Sequence, residues 1–315
     1  MADRQSFDPE ARAEPAEAGE PAEARAEPAE AGWRRLERPG AVIAYRRLGR
    51  GRPLVLLHAT LSSSDQLRPL IELLARSFTV LAIDRRASGR SRLPAAAVPA
   101  PIDVAVHVED VAAVIAVEGV GPALVVGHSY GACVALELAA RRPGLVTGVW
   151  AYEPPFGPVG GPRLQAVLAE LGRRTAEAQA RGGPAAAAET FLELVIGREA
   201  FVRLSPAALA RARAAGAAAV ADGALLGLDA GGLGRIACPV ALAVGSAGHP
   251  LYVELAEGLR ARLPSATTAL ITLAGVGHGA PITHPALVAA AIEAFAPGSE
   301  IGQRAAAPVV DPDRE

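Results

Sequence analysis

ALVVGHSYGACVALELAARRP, Ala123 to Pro143, changes its period in the middle. Its first residues are the short apolar run of a buried strand, and from Tyr130 onward the apolar residues recur at helical spacing until Pro143 stops them. Ser129 sits at the join, inside a G-x-S-x-G made by Gly127, Ser129 and Gly131. A sharp turn from strand to helix lifts a serine hydroxyl out of the sheet, and it demands small residues two before and two after. Gly127 and Gly131 meet that demand, and Ala132 continues it. A serine hydroxyl is a poor nucleophile near neutral pH, so the chain must also supply a base and a group that orients it.

The same grammar extends outward. Val42 to Arg47, PLVLLHA from Pro53, FTVLAID from Phe78, VTGVWAYE from Val146, PVALAVG from Pro239 and TALITLAG from Thr268 read as strands. Helical stretches such as Gln66 to Arg76 and Val108 to Val117 alternate with them. This rhythm predicts βαβ units, hence an α/β fold with a mostly parallel sheet and helices on both faces. Residues from Pro154 to about Arg235 break it, with Ala/Leu-rich helical runs separated by GG, GGP and SP and no convincing strand. A segment of that length is too long for a simple crossover, so it reads as an inserted helical lid at the end of the sheet where ligands bind. Extra packing helices with no part in access are the plainer alternative.

The predicted organisation is a core of residues 33–153 and 236–297, a lid of 154–235, and two tails, 1–32 and 298–315. The leader repeats RAEPAEAG at Arg12 to Gly19 and Arg25 to Gly32, and it has too little apolar surface to order itself. Net charge is −2 with 20% charged residues, which gives no basis for a nucleic-acid partner. Cys133 and Cys238 show no metal-binding spacing and are expected to be buried thiols in a reducing compartment. No basic segment leads into an N-terminal apolar run, and no apolar stretch reaches the ~18 residues of a membrane span. A soluble, cytoplasmic protein is expected.

Two further pieces of a serine site can be placed. In LLHATLSSS a strand ends at His58 and the chain turns at Ala59 and Thr60. The backbone N–H of Thr60 can there meet that of Tyr130 around a developing oxyanion, unless the segment is simply a strand-to-helix loop. Six histidines compete to be the base. His128 adjoins the serine and is expected to point elsewhere, His58 is expected to fix its loop, and His107 to lie on a polar helix face. His249 and His284 each precede a proline. His278, in AGVGHGAP after the last strand, sits among Gly275, Gly277 and Gly279 and is the candidate base.

With these residues in hand the chain resembles the α/β-hydrolases from about residue 38 to 297. HATLSSS stands for the family's H-G-x-x-x-S, DRRASGRS (Asp84 to Ser91) for its D-x-R-G-x-G-x-S, and GHSYG and GVGH complete the set. Ala59 and Ala87 replace glycines of those patterns. The resemblance also implies an acid in the loop after PVALAVG, but that loop, GSAGHP, has Gly248 where the aspartate is usual. Some relatives, certain haloalkane dehalogenases among them, carry the acid one strand earlier. Here that position is Glu153, which makes the order Ser129, Glu153, His278. Glu153 could instead cap the lid's first turn or pair with Arg86 or Arg90.

The implied activity is hydrolysis of a small, largely apolar carboxylic ester or related acyl compound, with no metal or organic cofactor. A dehalogenase is disfavoured because those relatives use a carboxylate nucleophile where this chain has Ser129. Perhydrolases, cofactor-free oxygenases, lyases and non-catalytic ligand receptors share the fold and remain alternatives.

Overall fold

The computed structural model describes residues 27–28, 32–94, 100–223, 228–264 and 267–296. The expected tails therefore lie almost wholly outside the described residues. The part of the leader that is described, β1 (Glu27–Pro28), pairs antiparallel with β2 (Trp33–Arg38). The remaining strands are β3 (Ala41–Leu48), β4 (Arg52–Leu57), β5 (Phe78–Ile83), β6 (Ala123–His128), β7 (Val146–Tyr152), β8 (Val240–Gly245) and β9 (Thr268–Leu273). They form one sheet in the order β1-β2-β3-β5-β4-β6-β7-β8-β9. From β5 through β9 every pairing is parallel, while β1, β2 and β3 add an antiparallel edge.

Parallel central strands need cover on both faces, and the alternation of side chains supplies two cores. Val55 and Leu57 of β4 face the side of helices α2 (Val104–Val117) and α3 (Tyr130–Arg141). Leu54 and Leu56 face the side of α1 (Arg68–Leu74) and α10 (Pro285–Phe295). All six residues of β5, β6 and β8 are buried. Helix α3, which reads as amphipathic, is in fact buried from Tyr130 through Ala140, because it is enclosed by the sheet, α2 and the 3-10 helix Ala230–Arg235. Strand β2 escapes a sequence reading because WRRLER buries only Trp33 and Leu36, three apart, and four of its six residues are charged. The guanidinium groups of Arg46 and Arg90 lie 4.2 and 4.8 Å from the Trp33 ring centroid and help bury the ring.

Between β7 and β8 the chain inserts helices α4 (Pro162–Ile196), α5 (Arg198–Val202), α6 (Pro206–Ala214) and α7 (Gly216–Ala221). The GGP of the sequence breaks α4 in two: Gly182 and Gly183 are non-helical, with Gly183 at φ 72°, and Pro184 restarts the helix where a missing N–H does no harm. Helix α7 packs against that restart closely enough that a Cβ on Gly216 would lie 2.2 Å from Pro184 O. Helices α8 (Leu251–Arg260) and the short α9 (Ala280–Thr283) precede α10. Among the described residues no helix is long and apolar enough to cross a membrane.

The two alanines that stand for family glycines behave differently. Ala87 holds φ 60° in the turn after β5, whereas Ala59 has no positive φ and Leu61, two residues on, takes φ 57°. An L-residue in the left-handed region costs roughly 1 kcal/mol relative to glycine. Ala87→Gly is therefore expected to raise stability by about 0.5–1 kcal/mol, read as a Tm increase of about 1–3 °C in thermal melts.

Candidate active site

Ser129 occupies the strand-to-helix join with φ 54° and ψ −122°, a strained conformation of a kind that costs about 1–3 kcal/mol and gathers at functional sites. Its N–H still donates to Tyr152 O at 2.8 Å, so β6–β7 pairing continues one residue past β6 while the chain already turns away. The turn leaves no room: a Cβ on Gly127 would lie 2.4 Å from Ala132 Cα, and one on Gly131 would lie 2.5 Å from Leu57 O. Tyr130 is the first residue of α3, and its N–H belongs to the helix turn that has no acceptor within the helix.

Two of the predicted residues meet directly. His278 Nδ1 lies 2.6 Å from Glu153 Oε2, and Glu153 Oε1 accepts the Gly245 N–H at 2.9 Å. Glu153 is fully buried at the end of β7, with φ 47° and its N–H donating to Ala243 O. A carboxylate only accepts hydrogen bonds, so the proton sits on Nδ1 and leaves the Nε2 lone pair free to act as a base. Neither plainer role for Glu153 is realised. Arg86 pairs with Asp110, Arg90 with Asp65, and the cap of α4 has no side-chain hydrogen bond.

The loop that lacks a carboxylate is nonetheless built around the relocated one. A Cβ on Gly248 would lie 2.9 Å from Glu153 Oε1, and Gly248 has no positive φ. Glycine stands there because the Glu153 carboxylate occupies the space a side chain would need. The same loop braces the loop of His278, with Ala247 N–H donating to Val276 O and Gly275 N–H to Ser246 Oγ, and Tyr152 at the end of β7 adds its OH to Gly277 O.

Ser129 and His278 line one cavity, but no hydrogen bond joins them; His278 Nε2 instead lies 3.4 Å from the Tyr252 hydroxyl. The Tyr252 ring stacks on the imidazole with centroids 4.5 Å apart and planes 6° apart. Burial pushes the Tyr252 phenol well up, so it stays a neutral donor. Nothing in the spacing of LYVELAEG marks this tyrosine, which β8 and α8 bring to the base only in three dimensions.

The other histidines need some correction. His58 does fix its loop: its Nε2 accepts the Arg85 N–H at 3.0 Å and its Nδ1 donates to Ala59 O. Burial, then the Arg85 charge, lowers its pKa to about 3. His128 does not point away from the site; it lines the cavity, and its Nε2 donates to His278 O at 2.8 Å, holding the backbone of the candidate base. His107 lies not on a polar face but 1% exposed, edge-on to Tyr130, because α2 turns that side toward α3. Cys133 is buried as expected, while Cys238 is partly exposed.

Thr60 and Tyr130 flank a buried ion pair absent from any sequence expectation. Asp222, at the end of α7, receives Arg85 Nη1 and Nη2 at 2.6 and 2.7 Å and the Thr60 hydroxyl at 2.8 Å. Burial by itself would raise the Asp222 pKa, but the Arg85 charge and hydrogen bonds hold it below the ordinary value. The cavity above the serine measures about 780 Å³. Its apolar walls include Leu168 and Leu171 from the first half of α4, Phe191 and Val195 from the second, and Leu251 and Ile282 from the sheet side.

A sequence profile of the alpha/beta hydrolase family matches residues 54–291. The chain is 32% identical over 120 residues to a 2-(acetamidomethylene)succinate hydrolase of Mesorhizobium japonicum, a match covering 38% of this chain and 42% of that one. It is 34% identical over 119 residues, 38% of this chain and 43% of the other, to an uncharacterized hydrolase of Bacillus subtilis. These matches span about two fifths of the length of each relative. Among solved structures, a hydrolase from Pseudomonas aeruginosa superposes with TM-score 0.69 at 23% identity, over 85% of this chain and 99% of that one. An alpha/beta hydrolase from Sphaerobacter thermophilus gives TM-score 0.60 at 28% identity, over 81% and 96%.

Because Gly248 is kept small by a carboxylate oxygen rather than by backbone angle, Gly248→Ala should force the two apart. The expected cost is about 1–3 kcal/mol, the range for overpacking, seen as a lower midpoint in urea unfolding. Combining it with Glu153→Ala, which vacates the space, should show positive coupling in a double-mutant cycle; additive losses would mean that the two positions do not touch.

Proposed function

The chain belongs to the alpha/beta hydrolase family, and from that premise we propose that it is a serine hydrolase of small, largely apolar carboxylic esters or related acyl compounds. The observation that carries the reading is the 2.6 Å contact of Glu153 Oε2 with His278 Nδ1, formed in a chain whose GSAGHP loop has no carboxylate. A protein that had lost its chemistry would have no reason to keep a buried, strained glutamate aimed at one imidazole beside Ser129. The relatives from Mesorhizobium japonicum and Bacillus subtilis are both named hydrolases, which fits.

The geometry supports the following sequence of steps. His278 Nε2 takes the Ser129 hydroxyl proton as Oγ attacks the substrate carbonyl, and this requires the ring to trade its contact with Tyr252 for one with Ser129. Glu153 holds the imidazole in the Nδ1–H tautomer and stabilises the imidazolium. The Thr60 and Tyr130 amides receive the negative oxygen of the tetrahedral intermediate. His278 then protonates the leaving alcohol, and an acyl group remains on Ser129. Water, deprotonated by the same Nε2, attacks the acyl-enzyme, and collapse of the second intermediate returns the proton to Ser129 and releases the acid. The apolar cavity walls favour an apolar acyl or alcohol group and exclude bulk water.

A fluorophosphonate probe is expected to label the wild-type protein and not Ser129→Ala. A series of p-nitrophenyl esters of increasing chain length should be hydrolysed by the wild type, and turnover retained in Ser129→Ala would end the reading. His278→Ala should be nearly as damaging, with no multiplication of losses in the double variant, since the residues act as a unit. Glu153→Gln removes the acceptor of Nδ1–H and favours the wrong tautomer. Its kcat should fall at least about 10²-fold, with a smaller change in KM; a structural role for Glu153 would show instead as lost stability with turnover intact.

A further inference from the structure

The ion pair of Arg85 and Asp222 has no part in the chemistry above, yet it touches both residues whose amides are assigned to the oxyanion. Arg85 follows β5, and its side chain is 2% exposed. Its Nε donates to His58 O at 3.1 Å and its N–H to His58 Nε2, which fixes the last turn of chain before Ala59 and Thr60. Its guanidinium carbon lies 4.9 Å from the centroid of the Tyr130 ring. Asp222 answers both terminal nitrogens of Arg85 and accepts the Thr60 hydroxyl on Oδ2. The Thr60 backbone is thereby tethered from above by its own side chain and from behind through His58.

Asp222 does not come from the sheet. It ends α7, the last of the inserted helices, and Asp222 N–H donates to Ala218 O while Ala221 O accepts from Ile102 N–H. The carboxylate that anchors the Thr60 side is thus delivered by the lid. Seating of α7 and placement of the Thr60 amide are one event, because a fully buried arginine cannot stay unpaired when its carboxylate leaves. Among the described residues a further neighbour, His107, lies 3.9 Å from Asp222 Oδ1, and burial followed by the Arg85 charge lowers its pKa to about 4, so it stays neutral.

We propose that Asp222 is a positioning residue for the oxyanion site, acting through Arg85 and Thr60, so that this site is complete only when the end of α7 is seated on the core. The proposal rests on the serine-hydrolase reading. It differs from a merely structural role in what it predicts for Thr60, which is half-buried and whose hydroxyl can be removed with both Arg85–Asp222 hydrogen bonds still formed.

The test compares Thr60→Val, nearly isosteric but without the hydroxyl, with Thr60→Ser, which keeps it. Purified full-length variants are assayed on p-nitrophenyl acetate, with thermal melts and fluorophosphonate labelling in parallel. A misplaced oxyanion donor can cost about 10²-fold in rate, so Thr60→Val is expected to lose at least about 10-fold in kcat with KM changed less than about 3-fold. Affinity for an alkyl boronic acid, which mimics the tetrahedral intermediate on Ser129, should fall in step with kcat. Thr60→Ser should recover most of both losses. Asp222→Asn should show the same kcat loss; if it fails to fold, the Thr60 pair decides alone. Wild-type kcat in Thr60→Val, or a loss confined to KM, overturns the proposal while leaving Ser129 labelling and the hydrolase reading intact. Absence of labelling in the wild type overturns both.

Discussion

The constraint on which the site depends is the close approach of the first turn of α3 to the ends of β4 and β6. With a Cβ on Gly131 placed 2.5 Å from Leu57 O and 2.6 Å from His58 O, nothing larger than glycine lets the helix start there. That approach sets three things together. It forces Ser129 into its left-handed conformation, it turns the Tyr130 amide outward at a helix N-terminus, and it sets the His58–Thr60 loop beside both. The strain at Ser129 persists because eleven consecutive buried residues of α3 anchor the helix behind it.

A second arrangement depends on a single buried carboxylate. Among the described residues the Glu153 carboxylate has two hydrogen-bond partners, Gly245 N–H and His278 Nδ1, and it reaches them from the end of β7 rather than from the loop after β8. The move leaves the β8 loop without an acid but not without a task. It now gives Glu153 a hydrogen bond at Gly245, leaves room at Gly248, and carries the base's loop through Ala247 and Ser246. With the carboxylate at the end of β7, the β8 loop serves as its support, and the imidazole is oriented by a carboxylate contact at Nδ1.

Arginine is the basic residue everywhere in this chain, and its planar, always-charged fork suits the buried pairs found here. Arg85 with Asp222 and Arg86 with Asp110 sit on adjacent residues yet serve opposite directions: one reaches the lid, the other ties the turn after β5 to α2. Glu118 gathers Arg34, Arg47 and the Tyr45 hydroxyl and so fastens the antiparallel edge of the sheet to the end of α2. Removing one partner from such a pair costs far more than the pair contributes, because the other charge is left without water.

The sequence by itself determined most of the elements and the candidate nucleophile. A strand of continuous apolar residues, a G-x-S-x-G, and a helix with its stop at Pro143 are local patterns, and local patterns fix local backbone. The GGP break in α4 was legible for the same reason: two glycines and a proline act on their own dihedrals wherever they stand. Strand β2 was not legible, because four charged residues in WRRLER hide a strand whose pairing partner and whose arginine cover over Trp33 come from elsewhere. Chain order and the empty GSAGHP loop could nominate Glu153, but the carboxylate's contact with His278 spans 125 residues and exists only once β7 and the last loop are neighbours. Tyr252, His128 and Asp222 carried no signal at all, since their roles lie in contacts with residues 26, 150 and 162 positions away. Sequence fixes which groups are present and how the backbone near each one bends. Which of them share a cavity is decided by the order in which strands pair, and pairing order is a property of the whole core rather than of any stretch within it.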